Sequence, residues 1–243
     1  MYLIIDLGNT LAKLFLYNQD RCILQEKFPN QHFAEKVAML IDNYEAIQGV
    51  IYSDVSDTVG SFFEKYLGRF PVLKVHHNMR LPFTNLYESP ESLGSDRLVL
   101  ATAACVLYPH SNVLVIDLGT CITYDFITAD HCYQGGAISP GFEMRYRALH
   151  DFTEALPNLK PEVVYHHEGK STEASVHVGV YFGILDEIKA RISHYESKYD
   201  LLTVILTGGD ANKLPKTLKN SIFAHSNFTA EGMLHLLKLN LDS

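Results

Sequence analysis

At 243 residues, 47% apolar and 20% charged, the chain has the length for one large or two small domains and the apolar content for a substantial core. A formal net charge of −8 argues against nucleic acid and anionic membranes as partners, because neither would be steered to an acidic surface. Four cysteines, Cys22, Cys105, Cys121 and Cys132, show no CxxC spacing, which fits free thiols in a reducing cytosol better than a zinc site or a disulfide framework. No basic segment precedes the opening strand-like run, and no apolar stretch reaches the ~18–20 residues that a bilayer span needs. The expectation is a soluble cytoplasmic protein with no membrane and no nucleic-acid partner.

Strand signals come first, at 2–6, 11–17 and Arg21–Phe28, as in a meander. Residues 32–44 carry Phe33, Val37, Leu40, Ile41 and Tyr44 as a helical stripe. Gly49–Ser53 reads as a short buried strand and 57–67 as a second amphipathic helix. Leu93–Tyr108 is helical, with Ser95 in the N-cap position. Pro109-His110-Ser111-Asn112 is a polar break taken as the domain boundary. The pattern then repeats, with strands at 113–117 and 121–127 and a Gly-Gly turn at 135–136. Helices follow at 142–155 and from Thr172 to about Tyr195, then a strand at 203–207 and a last helix at 229–240. The expected class is α/β, with mixed sheets flanked by helices in two domains, 1–110 and 111–243.

One short motif occurs twice. At an offset of 111, Ile5, Asp6, Leu7 and Gly8 recur as Ile116, Asp117, Leu118 and Gly119, and Phe15 recurs as Phe126. Two copies at that spacing suggest a duplicated domain that holds a nucleotide between its halves. In Asp6-Leu7-Gly8-Asn9-Thr10 the glycine lets backbone approach a phosphate, and Asn9 and Thr10 add side-chain donors. Lys13 is near enough on the next strand to reach a β- or γ-phosphate. The Asp6 carboxylate would repel phosphate unless it orients a metal-bound water. A single copy would suit a plain hairpin turn equally well. Asp117-Leu118-Gly119-Thr120 repeats the chemistry, with Thr120 and Thr123 as hydroxyl donors and Asp125 on the same strand, at the rim if the segment is only a strand and turn.

Leu93-Gly94-Ser95-Asp96-Arg97 sets a carboxylate beside a guanidinium at a helix start. Arg97 can clamp an anionic group, and Asp96 can accept a proton from a hydroxyl nucleophile. A helix N-terminus favours the ionised carboxylate, and phosphoryl transfer asks little of its base. The same pentapeptide also suits an ordinary capped helix. Gly135 to Gly141 (GGAISPG) suits close approach to a ligand or partner subunit, or a long turn. In Gly169-Lys170-Ser171-Thr172 at least one hydroxyl is expected to cap the next helix. Gly179 and Gly183 on that helix read as close packing against the sheet. Thr207-Gly208-Gly209-Asp210 ends a strand in a turn that suits either a nucleotide or a simple bend. His76-His77 and His166-His167 are expected at the surface, since adjacent residues point apart.

Assembled in order, these motifs resemble the type III pantothenate kinases of the acetate kinase, sugar kinase, Hsp70 and actin fold group. The resemblance spans nearly the whole chain: DLGNT, Tyr87-Glu88-Ser89-Pro90 leading into LGSDR, DLGTCITYD, GGAISPG, the TEALP segment, GKST and TGGD. It implies two actin-like, ribonuclease H-like domains and transfer of a phosphoryl group from ATP to pantothenate, at the start of coenzyme A biosynthesis. It implies ATP contacts from Asp6, Leu7, Gly8, Asn9, Thr10, Leu11, Ala12, Lys13 and Thr120, with Mg²⁺ accompanying the nucleotide. Tyr87, Gly94, Ser95, Asp96, Arg97 and Thr172 would hold pantothenate, with Asp96 as the catalytic base. Asp117 would help to bind a monovalent cation, K⁺ or NH₄⁺. The family is dimeric, so a homodimer is expected, with part of the substrate site near the subunit interface. Cys121 stands where the family often has Ala, and Glu154 replaces an Ala. Another small-molecule kinase of this fold, or a nucleotide-binding regulatory relative, is the competing reading; the Asp96-Arg97 pair and the lack of basic clusters disfavour the latter.

Overall fold

The computed structural model describes residues 1–8, 11–54, 59–66, 68–215, 218, 223–224 and 227–241. The chain divides into two compact units, Met1–Pro109 with Asn227–Ser243, and His110–Ser226. The polar break at 109–112 lies at that division. The last helix, which the sequence pattern assigned to the second half, belongs to the first unit.

In the first unit, β1 (Tyr2–Leu7), β2 (Leu11–Asn18) and β3 (Arg21–Pro29) form an antiparallel meander. β4 (Gly49–Asp54) and β5 (Val72–Lys74) add in parallel on the other side of β1, giving the order β3-β2-β1-β4-β5. Leu3, Ile4 and Ile5 are each fully buried, as expected where both faces of a sheet are covered. α1 (Phe33–Asn43) lays Phe33, Val37, Leu40 and Ile41 into a core with Leu3, Ile5, Leu14 and Val50. The 57–67 helix is shorter in the structure: α2 (Gly60–Phe63) passes into a 3-10 turn, Glu64–Tyr66, while 57–58 and 67 lie outside the described residues. Phe62 and Phe63 pack edge-on against Phe33, so one aromatic cluster ties α1 to α2.

A two-residue strand, β6 (Thr84–Asn85), precedes α3 (Ser95–Leu107). α6 (Phe228–Leu241) returns to pack on α3, β1 and β4. The crossing with α3 is tight at Gly232, where a Cβ would overlap the carbonyl of Val99 and lie 3.1 Å from Ala103 Cβ.

In the second unit, β7 (Asn112–Leu118), β8 (Cys121–Ile127) and β9 (Cys132–Pro140) form a second antiparallel meander. β10 (Leu202–Thr207) runs parallel to β7, and β11 (Phe223–Ala224) parallel to β10, in the order β11-β10-β7-β8-β9. The Gly-Gly turn expected at 135–136 is instead part of β9. Gly136 pairs with Asp125, and a Cβ there would collide with the Tyr124 carbonyl; the glycine serves strand approach rather than chain reversal. α4 (Phe142–Asp151) and α5 (Thr172–Glu196) supply Phe142, Tyr146, Val180, Ile184 and Ile188 to the core. Gly179 and Gly183 do not pack on the sheet. Both are exposed, and a Cβ at Gly179 would meet nothing within 4 Å.

The two meanders repeat with one difference. Asp6 faces Lys13 across β1–β2, whereas Asp117 faces Thr123 across β7–β8. The spacing is therefore 111 up to the turn and 110 after it, since the second turn is one residue shorter. Phe15 and Phe126 are accordingly not equivalent: Phe15 faces Ile4, and Phe126 faces Leu114. No described helix is long and apolar enough to cross a membrane.

Candidate active site

The first turn lies at the end of β1. Gly8 donates its N–H to the Leu11 carbonyl at 3.1 Å, and its own carbonyl accepts from Asn30 Nδ2 at 2.9 Å. Leu7 and Ala12 form a buried cross-strand pair, so they can offer a nucleotide only backbone groups. Leu11 is half-buried at the start of β2. Asn9 and Thr10, also named as ATP ligands, lie outside the described residues. Lys13 Nζ donates to Asp6 Oδ2 at 3.1 Å, with the lysine side chain 41% exposed and the aspartate 19%. Asp6 therefore has a cation beside it before any ligand arrives, and its charge is offset by Lys13. An ion pair whose lysine is this open to solvent adds modest stability, so the ammonium can exchange partners at small cost.

The parallel neighbour of β1 brings in residues that sequence reading passed over. Ser53 and Asp54, at the end of β4, pair with Asp6 and Leu7. Both are buried. Asp54 accepts from the Val59 N–H at 3.0 Å, and Ser53 Oγ lies 3.0 Å from Ser95 Oγ. Their only sequence signal was two polar residues closing an otherwise apolar strand.

Ser95 is therefore not the N-cap of α3. Gly94 holds that position, and Ser95, in the first turn, is engaged with β4 instead. Asp96 Oδ1 accepts from the Arg97 N–H at 2.9 Å, so the carboxylate satisfies one of the open donors at the helix start. Gly94 leaves room for that carboxylate: a Cβ there would meet Asp96 Oδ1 and the side chain would have to turn aside. Asp96 is exposed and Arg97 is only 5% exposed. The Arg97 guanidinium carbon sits 5.5 Å above the Tyr87 ring, a cation–π contact. Tyr87, Gly94, Ser95, Asp96 and Arg97 thus come together in the first unit, with β4 tying them to the strand beside Asp6.

In the second unit, Asp117 is the last residue but one of β7 and is half-buried, and Thr120 is exposed in the turn that follows. Thr123, facing Asp117, is 7% exposed, and its Oγ1 has no hydrogen-bond partner among the described residues. A carboxylate and a buried hydroxyl at facing positions supply hard oxygen donors, the ligand type that hard cations take. Asp125 is not at the rim. It is fully buried and accepts from the Tyr133 hydroxyl at 2.6 Å. The Thr207–Asp210 turn lies directly on this site. Gly208 has φ +95°, and a Cβ on it would collide with Asp117 Oδ1 and the Leu118 backbone. Asp210 N–H donates to the Leu118 carbonyl at 3.0 Å. Thr172 is the exposed first residue of α5, while Ser171 caps that helix by accepting from Ala174 N–H at 3.2 Å.

Among the described residues no three His, Cys, Asp or Glu side chains cluster as a metal cage. Mg²⁺ that travels with a nucleotide needs none, since phosphates and waters supply most of its ligands.

The family model for type III pantothenate kinases matches residues 2–194. A type III pantothenate kinase from Christiangramia forsetii is 42% identical over 240 residues, 99% of each chain. Among solved structures, a candidate Baf family transcriptional activator from Campylobacter jejuni superposes with a TM-score of 0.64 at 22% identity, covering 99% of this chain and 100% of that one. A candidate N-acetylglucosamine kinase from Porphyromonas gingivalis superposes at 0.56 with 11% identity, covering 97% and 98%. Those two likenesses establish the actin-like fold and nothing beyond it.

Proposed function

The chain belongs to the type III pantothenate kinase family, and from that premise we propose how its residues divide the reaction. The activity is ATP-dependent phosphorylation of pantothenate, the first step of coenzyme A biosynthesis, with a divalent cation accompanying ATP.

The primary hydroxyl oxygen of pantothenate attacks the γ-phosphorus, the bond from that phosphorus to the bridging oxygen breaks, and ADP departs. Asp96 accepts the hydroxyl proton. Its exposure at the start of α3, beside a buried and stacked Arg97, is the observation that carries this assignment. Arg97, held by its burial and by Tyr87, presents a fixed planar fork to an anionic group of the substrate. Gly94 and Ser95 contribute to the same substrate site. Lys13 turns from Asp6 toward the phosphates, and the freed Asp6 would help to hold the divalent cation that accompanies ATP. Leu7, Gly8, Leu11 and Ala12 serve through their backbone, with Asn9 and Thr10 completing the loop and Thr120 adding a second hydroxyl. When bound, Mg²⁺ would supply charge neutralisation for the phosphates.

Asp117 with Thr123 Oγ1 is our candidate holder of a monovalent cation, K⁺ or NH₄⁺, supported by the orphaned buried hydroxyl. The protein acts as a cytoplasmic homodimer, with Thr172, exposed at the head of α5, reaching substrate near the interface. The duplicated domains are taken as 1–110 and 111–243, with α6 returned to the first.

Coupled ADP release with and without pantothenate, in K⁺ against Na⁺ buffer, tests this reading. Release is expected to depend on pantothenate and to be faster in K⁺. Release indifferent to pantothenate would overturn the substrate, and equal rates in the two buffers would overturn the cation site.

A further inference from the structure

Arg145 on α4 and Glu187 on α5 have no part in the reaction as divided above, yet they close a polar network in the second unit. Arg145 Nη2 donates to Glu187 Oε2 at 2.5 Å and to Ser139 Oγ at 2.9 Å, while its Nε donates to the Pro140 carbonyl at 2.8 Å. Ser139 Oγ donates in turn to Glu187 Oε2 at 3.0 Å, and the Tyr124 hydroxyl to Glu187 Oε1 at 2.8 Å. The two charged side chains are 21% and 26% exposed. Burial pushes the Glu187 carboxyl up, but hydrogen bonds from Arg145, Tyr124 and Ser139 outweigh it and hold the group below the usual range. The pair is electrically neutral, so its effect beyond contact distance is geometric rather than a field on the phosphates.

That geometry is transmitted over a short path. Ser139 and Pro140 end β9, and Pro140 pairs with Cys121 on β8. The next residue, Gly141, donates its N–H to the Thr120 carbonyl at 3.1 Å. It also packs so closely that a Cβ would overlap the carbonyl oxygens of both Gly119 and Thr120. Backbone in such contact cannot shift independently. Whatever fixes Ser139-Pro140-Gly141 therefore fixes the Gly119–Thr120 turn.

We propose that Arg145 and Glu187 are positioning residues for phosphoryl transfer, clamping Ser139-Pro140-Gly141 and through it holding the Gly119–Thr120 turn against ATP. The inference rests on the reading of Thr120 as an ATP contact. Arginine is required because one planar guanidinium reaches a serine hydroxyl, a carboxylate and a backbone carbonyl together, which a lysine ammonium on a flexible stem does not.

The test is steady-state kinetics of the full-length enzyme carrying Arg145→Lys, beside Thr120→Ala as a direct change to the turn. Misplacing a contact by about 1 Å costs up to ~10²-fold, and a partial loosening is expected to raise KM for ATP about ten-fold. KM for pantothenate should stay within about two-fold, because the clamp touches only the turn assigned to ATP. Ser139→Ala, which removes one hydroxyl and threatens folding least, should move KM for ATP in the same direction by about three-fold. A KM for ATP that is unchanged in both clamp variants while Thr120→Ala raises it overturns the clamp and leaves the ATP reading standing. An unchanged KM in Thr120→Ala overturns the ATP reading and the clamp with it. Loss confined to kcat with a lowered melting temperature, as from a smaller active fraction, also refutes a positioning role.

Discussion

Asp96→Asn separates proton acceptance from structure more cleanly than any other change in the site. Asp96 Oδ1 accepts from the Arg97 N–H at 2.9 Å, and the Asn carbonyl keeps an acceptor of the same shape at that place. The carboxylate is exposed, so its removal leaves no buried charge unpaired. Stability should therefore move by less than about 0.5 kcal/mol, as for other surface substitutions that keep their hydrogen bond. Loss of a general base costs ~10²–10⁴-fold, and a loose phosphoryl transition state puts this case at the lower end. Turnover is expected to fall about 10²-fold, which is about 2.7 kcal/mol of barrier at 1.36 kcal/mol per decade. The assay is coupled ADP release at saturating ATP and pantothenate, with ATP affinity measured separately by calorimetry. Near-normal turnover would refute Asp96 as the base. A fall in turnover accompanied by an equal loss of ATP affinity or of folding stability would refute it as well, since those are marks of a structural role.

Two further outcomes follow from packing and titration. Gly232→Ala forces a methyl group between α6 and α3; overpacking costs about 1–3 kcal/mol, which should lower the urea midpoint even against the ~1 kcal/mol by which Ala favours a helix. An unchanged midpoint would mean that the crossing is looser than described. Burial, aided by Lys238, holds His235 below its ordinary 6.5. The unfolded chain then binds that proton first as pH falls, so stability present at neutral pH declines below 6.5. His235→Gln should lose less of its urea midpoint than the wild type between about pH 7 and about pH 5, and parallel losses would remove His235 as the cause.

What the sequence determined by itself was local and periodic. The apolar stripe of Phe33, Val37, Leu40 and Ile41 specifies α1 and its buried face, and the Asp-Leu-Gly turns announce two strand pairs of one kind. The family too was legible, because seven short motifs keep their order along the chain. Tertiary structure decided matters that depend on which segment lies beside which. The stripe of α6 requires burial but does not say against what, and only the packed chain returns it to α3, β1 and β4. Glycines at 135 and 136 suit a turn or a close strand equally well; pairing of Gly136 with Asp125 chose the strand. Register decided that Asp6 faces a lysine while Asp117 faces a threonine, so two like motifs carry different charge. The Arg145–Glu187 clamp joins residues 42 positions apart, where no period in the sequence connects them. Short-range propensity acts on neighbours along the chain, whereas burial and hydrogen bonding act on neighbours in space, and the chemistry of this site is assembled by the second.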